Sequence, residues 1–179
     1  MRRKRVRAER VDRARRCASI LACGVLLSAC ASYDGSTLVP GKSSAADVEA
    51  LMGPPDEKLA ATGGSSAWFY TRPSGGVTYA VGLGPDGIVR GVDQRLTEEN
   101  IAKLEIGVST QQTVRALFGP PFDTTYFDRL QREVWSYKYR IVAERMVFWV
   151  RFSDDGIARE VFKSVDLDYI PASGSGPKD

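Results

Sequence analysis

Histidine is absent from the 179 residues, and cysteine occurs three times, each time within the first 30 residues. The lack of histidine excludes a Ser-His-Asp triad and a histidine-ligated metal centre. Carboxylates are paired at Glu98-Glu99 and at Asp154-Asp155. These pairs fall at a predicted helix start and a predicted turn, where acidic residues are favoured for local reasons. We therefore predict no catalytic residue, no metal site, no cofactor and no enzymatic activity.

The first 29 residues have the composition of a secretory signal peptide. Nine arginines and lysines precede an apolar run from Ala18 to Ala29, which is shorter than the roughly 20 residues that span a bilayer. We predict that residues 1–29 are removed on export. This leader holds nine of the 25 basic and two of the 22 acidic residues, so the remaining chain has a net charge of −4. An acidic chain has no general attraction to nucleic acid, and we predict none as a partner.

The leader ends in Leu27-Ser28-Ala29-Cys30, which resembles a bacterial lipobox. The resemblance implies cleavage before Cys30 and attachment of lipid to its sulfur. Two or three acyl chains, at about 0.8 kcal/mol per buried CH2, would make the membrane attachment effectively permanent. Ala31 is not the aspartate typical of inner-membrane retention, which implies the outer membrane, and residues 30–40 then form a lipidated tether. The alternative is an ordinary signal peptide followed by an unrelated cysteine.

The mature chain contains an internal repeat. The phrase GKSSAADVEALMGPP at residues 41–55 returns as GVSTQQTVRALFGPP at residues 107–121, with eight identical positions. Repetition of a whole phrase indicates that one structural unit is used twice. We predict two repeats, residues 41–95 and 96–170, followed by a disordered tail at residues 171–179.

Each repeat is predicted to be α+β, with a helix followed by a three-stranded antiparallel meander. Ser44 and Ser109 are the expected N-caps of the two helices, and glycine followed by two prolines ends each of them. In the second repeat, Trp135, Tyr137 and Tyr139 alternate along a strand and should face the core. Without disulfides, a unit of about 60 residues is marginal alone, so we expect the two repeats to pack together, one arrangement being a continuous sheet.

Two glycine motifs resemble nucleotide-binding loops but have the wrong context. Gly82–Gly87 matches G-x-G-x-x-G, yet a strand is predicted to follow it rather than a helix. Gly41-Lys42-Ser43 resembles the end of a Walker A loop, but the upstream glycine is misplaced. We predict no nucleotide as a ligand.

The candidate partner-binding residues are aromatic and cationic. Trp149 and Arg151 should point away from the core, because Phe148 and Val150 alternate with them, and this residue pair is enriched at interface hot spots. Residues 122–130 are predicted to form a loop that displays Tyr126 and Phe127, either as ordinary covering or as a binding loop.

The phrase at residues 106–121, preceded by a short helix from Leu96 and followed by Trp135-Ser136-Tyr137, resembles the SmpA/OmlA (BamE-type) family of outer-membrane lipoproteins. Single-domain members of that family carry one copy of the phrase, and this chain carries two. Tandem copies of the fold are also similar to β-lactamase inhibitor proteins, so the fold does not fix the partner.

The resemblance implies a non-enzymatic lipoprotein on the periplasmic face of the outer membrane. Its partners would be subunits of the β-barrel assembly machinery, and it would serve outer-membrane assembly and envelope integrity by protein binding. The alternative hypothesis is a periplasmic enzyme inhibitor or scaffold that uses the same fold.

Overall fold

The computed structural model describes residues 34–168, which form two separate four-stranded antiparallel sheets and three α-helices. Sheet 1 contains β1 (Glu57–Ala60), β2 (Ser66–Arg72), β3 (Val77–Leu83) and β4 (Val89–Gln94). Sheet 2 contains β5 (Asp123–Phe127), β6 (Arg132–Ile141), β7 (Glu144–Phe152) and β8 (Ala158–Val165). The helices are α1 (Ala45–Met52), α2 (Glu98–Ile101) and α3 (Gln111–Phe118). Within each sheet, every strand pairs with the next along the chain, so the predicted α+β class with antiparallel meanders is confirmed.

Three predicted features fall outside the described range. These are the signal peptide at residues 1–29, the lipid-attachment residue Cys30 and the tail at residues 171–179. The domain bounds 41–95 and 96–170 likewise remain predictions.

The prediction of three strands per unit is wrong, because each sheet begins with an additional edge strand. β5 occupies most of the region that was predicted to be a loop at residues 122–130, and a short 3-10 turn at Asp128–Leu130 follows it. All five β5 residues are exposed, whereas β1 alternates between half-buried and exposed positions. The sequences of the two strands, EKLA and DTTYF, lack the alternation of apolar and polar residues that marks a half-buried strand. The two sheets also remain separate rather than merging into one.

Local hydrogen bonds determine where the longer helices begin. Ser44 is the N-cap of α1, as predicted, and it forms a complete capping box with Asp47. In α3 the N-cap is Thr110, whose hydroxyl accepts a hydrogen bond from the Thr113 N–H, so the prediction of Ser109 is wrong by one residue. The Ser109 hydroxyl instead accepts from the Glu105 N–H at 3.0 Å and orders the turn before the helix.

The two halves of the described chain repeat the same tertiary hydrogen bonds. In each half, a buried tyrosine hydroxyl donates to the carbonyl of the glycine that ends the helix, and the glycine that opens the repeated phrase donates to the last strand. The tyrosine bonds are Tyr70 to Gly53 (3.2 Å) and Tyr137 to Gly119 (3.3 Å), and the backbone bonds are Gly41 to Val89 and Gly107 to Ala158 (2.8 Å each). These bonds fix each helix against its own sheet.

An aromatic cluster forms the core between α3 and sheet 2. The Phe148 ring stacks on Tyr137 at a centroid distance of 4.9 Å and contacts the edges of Phe118 and Tyr139. Trp135 lies against Phe152 at the end of the same face. The prediction that Trp135, Tyr137 and Tyr139 face inward is therefore correct, and each is at most 5% exposed.

Helix α3 lies between the two sheets. Its residues Val114 and Phe118 pack into the core of sheet 2. Its opposite side meets β2, where Phe69 is fully buried and a Cβ atom added to Gly119 would lie 2.5 Å from the Phe69 ring. At the edge of this contact, Arg115 Nε donates to Glu57 Oε1 at 2.5 Å. Sheet 1 thus packs against α1 on one face and meets α3 on the other at Gly119 and Arg115.

The stability of the fold should fall at acidic pH because of Glu98 at the start of α2. Its carboxylate accepts hydrogen bonds from Lys163 Nζ (2.5 Å) and from the Tyr139 hydroxyl (2.7 Å), and these bonds hold the pKa of Glu98 below its usual value. A carboxyl group with a lowered folded-state pKa stabilises the protein above its unfolded-state pKa, and this contribution disappears as the pH falls through the folded-state value. Denaturant unfolding of Glu98→Gln between pH 3 and 7 should show a shallower acid decline than the parent protein. Parallel profiles would contradict this role.

Candidate functional site

The outer face of sheet 2, opposite the aromatic core, carries an open groove of about 310 Å³. Trp149 stacks on Phe162 of the neighbouring strand, with centroids 5.0 Å apart and planes 15° from parallel. The far end of the groove is lined by Phe127 and Leu130, which are 46% and 60% exposed. Aromatic side chains that stay in contact with solvent are the typical anchors of protein interfaces. This groove is called the outer groove, and its lining residues are Asp123, Thr125, Phe127, Leu130, Arg132, Val134, Ser136, Trp149, Arg151 and Phe162.

Two arginines, Arg132 and Arg151, and one aspartate, Asp123, line the outer groove. Arg151 forms an ion pair with Glu160 on β8, but its Nε is buried and has no hydrogen-bond partner in the described chain. No ion pair or hydrogen bond of the Arg132 side chain is found within residues 34–168. The Arg132 guanidinium can donate hydrogen bonds to an acidic ligand, whereas the buried Nε of Arg151 is not accessible to one.

The structure brings together three of the four residues predicted from the sequence to bind a partner. Phe127, Trp149 and Arg151 all line the outer groove. Tyr126 does not, because alternate residues of a strand point to opposite faces of the sheet. Its hydroxyl contacts the Gln131 side chain at 3.1 Å, and 52% of the residue is exposed. Whether any of the four binds a partner stays a prediction.

Sequence reasoning missed Phe162, Leu130 and Arg132. Phe162 is an isolated aromatic residue in a strand rich in charged side chains, and it is 47% exposed. That isolation is the one signal that could have marked it. Leu130 and Arg132 join the groove only because the 3-10 turn at Asp128–Leu130 brings the chain back beside β5, in register with Phe127 opposite Arg132.

The rejected G-x-G-x-x-G motif has a structural role in the described chain. Gly82–Gly87 runs from the end of β3 into the turn before β4, where the Gly84 N–H donates to the Ile88 carbonyl. Within residues 34–168, no group of three or more potential metal ligands is found, and no helix is long and apolar enough to cross a membrane.

The arrangement of α2, α3 and the meander of sheet 2 agrees with a known family. Residues 94–161 match the family model of the outer membrane protein assembly factor BamE domain. The BamE match begins at the end of β4 and ends within β8, one residue before Phe162. It confirms the resemblance to BamE-type proteins for this segment. The first half lies outside the match, so its assignment as a second BamE-like copy stays a prediction.

Two solved structures share low-identity similarity with the chain. One is the DUF4309 family protein YjgB from Bacillus subtilis, with 17% identity, a TM-score of 0.29, and coverage of 73% of this chain and 83% of YjgB. The other is a candidate beta-lactamase inhibitor protein from Streptococcus mutans, with 13% identity, a TM-score of 0.30, and coverage of 70% and 83%. Neither similarity carries an argument about function. No curated protein matches the sequence.

Proposed function

We propose that this protein is a lipid-anchored outer-membrane lipoprotein that acts as an accessory subunit in the assembly of β-barrel outer-membrane proteins. The observation that carries the proposal is the BamE domain match at residues 94–161. The protein is attached through Cys30, faces the periplasm and works by binding a partner rather than by catalysis. Confinement to the membrane surface raises its effective concentration for another membrane-bound protein.

The outer groove supports a binding role. It combines the Trp149–Phe162 stack with Arg132 and Arg151 on one exposed sheet face. Tryptophan, tyrosine and arginine dominate the energetics of protein interfaces, because they combine a large apolar area with a polar group. The first half, including sheet 1, then serves as a platform that holds α3 and the core of sheet 2 in place.

A deletion strain complemented with lipidated and unlipidated forms tests the proposal. We expect deletion to lower the levels of β-barrel proteins and to weaken the outer-membrane permeability barrier. The wild-type gene should restore both, whereas Cys30→Ala should not, because the variant lacks the thiol that would carry the acyl chains. Membrane fractionation, quantitative immunoblots of barrel proteins and uptake of a large antibiotic are the measurements. An affinity pull-down of the tagged wild-type protein after in-cell crosslinking should recover barrel-assembly subunits.

Each result separates the proposal from its alternative. Normal barrel-protein levels in the deletion strain would contradict an assembly role. Full complementation by Cys30→Ala, with a soluble periplasmic enzyme as the dominant crosslinked partner, would instead indicate an inhibitor or scaffold that needs no anchor.

A further inference from the structure

After β8 the described chain turns onto the outer face of sheet 2. Lys138 of β6 lies on that face, because its two neighbours in the strand point into the core. The Lys138 Nζ atom is 3.2 Å from Asp166 Oδ2 and 3.6 Å from Asp168 Oδ2. The described chain therefore ends beside a cation of β6, with β7 lying between β6 and the strand that the chain has just left.

Hydrogen bonds and charge hold this turn in place. Asp166 is buried, and its N–H donates to the Arg145 carbonyl at 2.9 Å. One of its carboxylate oxygens accepts from the Asp168 N–H at 3.3 Å. The Lys138 side chain is mostly buried and lies over the Phe122 ring at 4.6 Å. Because a partly buried ion pair is screened less than a surface pair, these contacts fix the point from which the chain continues.

The outer groove begins next to Lys138 along β6. Lys138 pairs with Val147 of β7. Two residues earlier on β6, Ser136 pairs with Trp149, which in turn pairs with Phe162 of β8. Residues on one face of a strand follow each other at about 6.8 Å, so the Trp149–Phe162 stack lies about that far from the row of Lys138. About two residues of extended chain cover this distance.

The sequence after Asp168 places apolar side chains at the required distance. This segment reads YIPASGSGPKD, and Tyr169 and Ile170 are its large apolar residues. They follow the ion-paired aspartate by one and two residues. Pro171 disfavours a helical conformation at the residue before it, so an extended course is expected there. The lining of the groove carries charges of both signs, so its apolar surface rather than its charge selects this segment.

We propose that the segment 169–171 occupies the outer groove of its own chain, with Tyr169 and Ile170 against the Trp149–Phe162 stack. The attachment at Asp168 gives the segment a high effective concentration beside the groove. A partner that binds the groove must displace the segment, which therefore limits access to the site. The inference goes beyond the proposed function, because it concerns the protein without its partner.

Photo-crosslinking of the purified lipidated protein in detergent, without a partner, tests the inference. p-Benzoylphenylalanine is introduced singly in place of Thr125, which lines the groove, and of Val142, which is 94% exposed in the turn after β6. Val142 is the matched control. Val134, the β6 partner of Thr125, and Val142 lie four residues from Lys138 in opposite directions. We expect Thr125 to label residues 169–172 about fivefold more than Val142 does, whereas a segment without a fixed position would reach both.

Changes in the segment itself test the apolar contact. The double variant Tyr169→Ser with Ile170→Ser should lower the labelling from position 125 by about fivefold, because it removes the apolar side chains. The control Ser173→Ala with Ser175→Ala should leave the labelling within about twofold. In cells, a chain that ends at Asp168 should label its partner from position 125 about threefold more than the complete chain does, because the competing segment is gone.

The outcomes separate the inference from the proposed function. Equal labelling of the segment from positions 125 and 142, no labelling of residues 169–172, or a crosslink to a second copy at the mass of a dimer would overturn the inference. Unchanged labelling in the double serine variant would overturn the apolar contact, and unchanged partner labelling after truncation would overturn the competition. Labelling of the segment as expected, with normal barrel-protein levels in the deletion strain, would support the inference and contradict the proposed function. Lowered barrel-protein levels without labelling of the segment would do the reverse.

Discussion

Replacement of Gly119 by alanine is expected to lower the free energy of unfolding by about 2–6 kcal/mol, far more than the same change at Gly53. Both glycines end the helix of their half with nearly the same backbone, at φ +80° and +82°. This conformation is one that residues with a Cβ rarely adopt, and the strain costs about 1–3 kcal/mol at either site. At Gly119 the new methyl group would also lie 2.5 Å from the Phe69 ring, whereas at Gly53 no heavy atom lies within 4 Å.

The difference between the two variants isolates the contact between the halves. Forcing a methyl group into a packed interface typically costs about 1–3 kcal/mol, which should appear at Gly119 alone. Denaturant unfolding at neutral pH, with the parent and both variants in parallel, measures this difference. If Gly53→Ala and Gly119→Ala lose equal stability, α3 does not press on β2 as described. A double variant that also carries Phe69→Leu should recover part of the loss for Gly119→Ala only.

Replacement of Phe148 by alanine is expected to lower the free energy of unfolding by about 3–5 kcal/mol. Its ring is fully buried and contacts Phe118, Tyr137 and Tyr139, so truncation removes three aromatic contacts and leaves a cavity. A domain of this size typically has a total stability of about 5–15 kcal/mol, so the variant should unfold near physiological temperature or at low denaturant concentration. Thermal and urea unfolding followed by near-UV circular dichroism would measure both effects.

Phe162→Ala is the matched control on the other face of the same sheet. Phe162 is half-exposed and contacts Trp149, so its loss should cost less than about 1 kcal/mol of stability. The two variants should separate the roles of the two faces, with Phe148→Ala losing fold and partner binding together and Phe162→Ala losing binding alone. A large loss of stability in Phe162→Ala would contradict the assignment of the outer groove as a free surface.

The helices and central strands could be predicted because their signals are local. The capping box of Ser44 and Asp47, the Gly-Pro-Pro stops and the alternation of Trp135, Tyr137 and Tyr139 each depend on a few neighbouring residues. The prediction was wrong at the N-cap of α3, where two adjacent residues, Ser109 and Thr110, could both cap the helix. Their hydroxyls are chemically equivalent as acceptors, and only the backbone geometry of the turn decides which of them caps α3.

The edge strands could not be predicted because their pairing is determined by a distant partner. Every residue of β5 is exposed, and the strand is held mainly by its pairing with β6. The candidate site shows the same division. Strand alternation correctly predicted that Trp149 and Arg151 face away from the core. The sequence did not predict a strand at residues 123–127, and only that strand shows that Phe127 lines the groove while Tyr126 lies on the opposite face.

The sequence alone determined that this protein contains a repeated helix phrase and a BamE-like second half. It also determined that Trp149 and Arg151 alternate with the core residues of their strand. Only the tertiary structure decided that α3 lies between the sheets and that the outer groove stays open. The physical reason is that α1 and α3 follow nearly the same sequence pattern and have the same local preferences. Their different environments depend on long-range packing, in which Phe69 of β2 meets Gly119 while the equivalent face of sheet 2 has no helix of the described chain upon it.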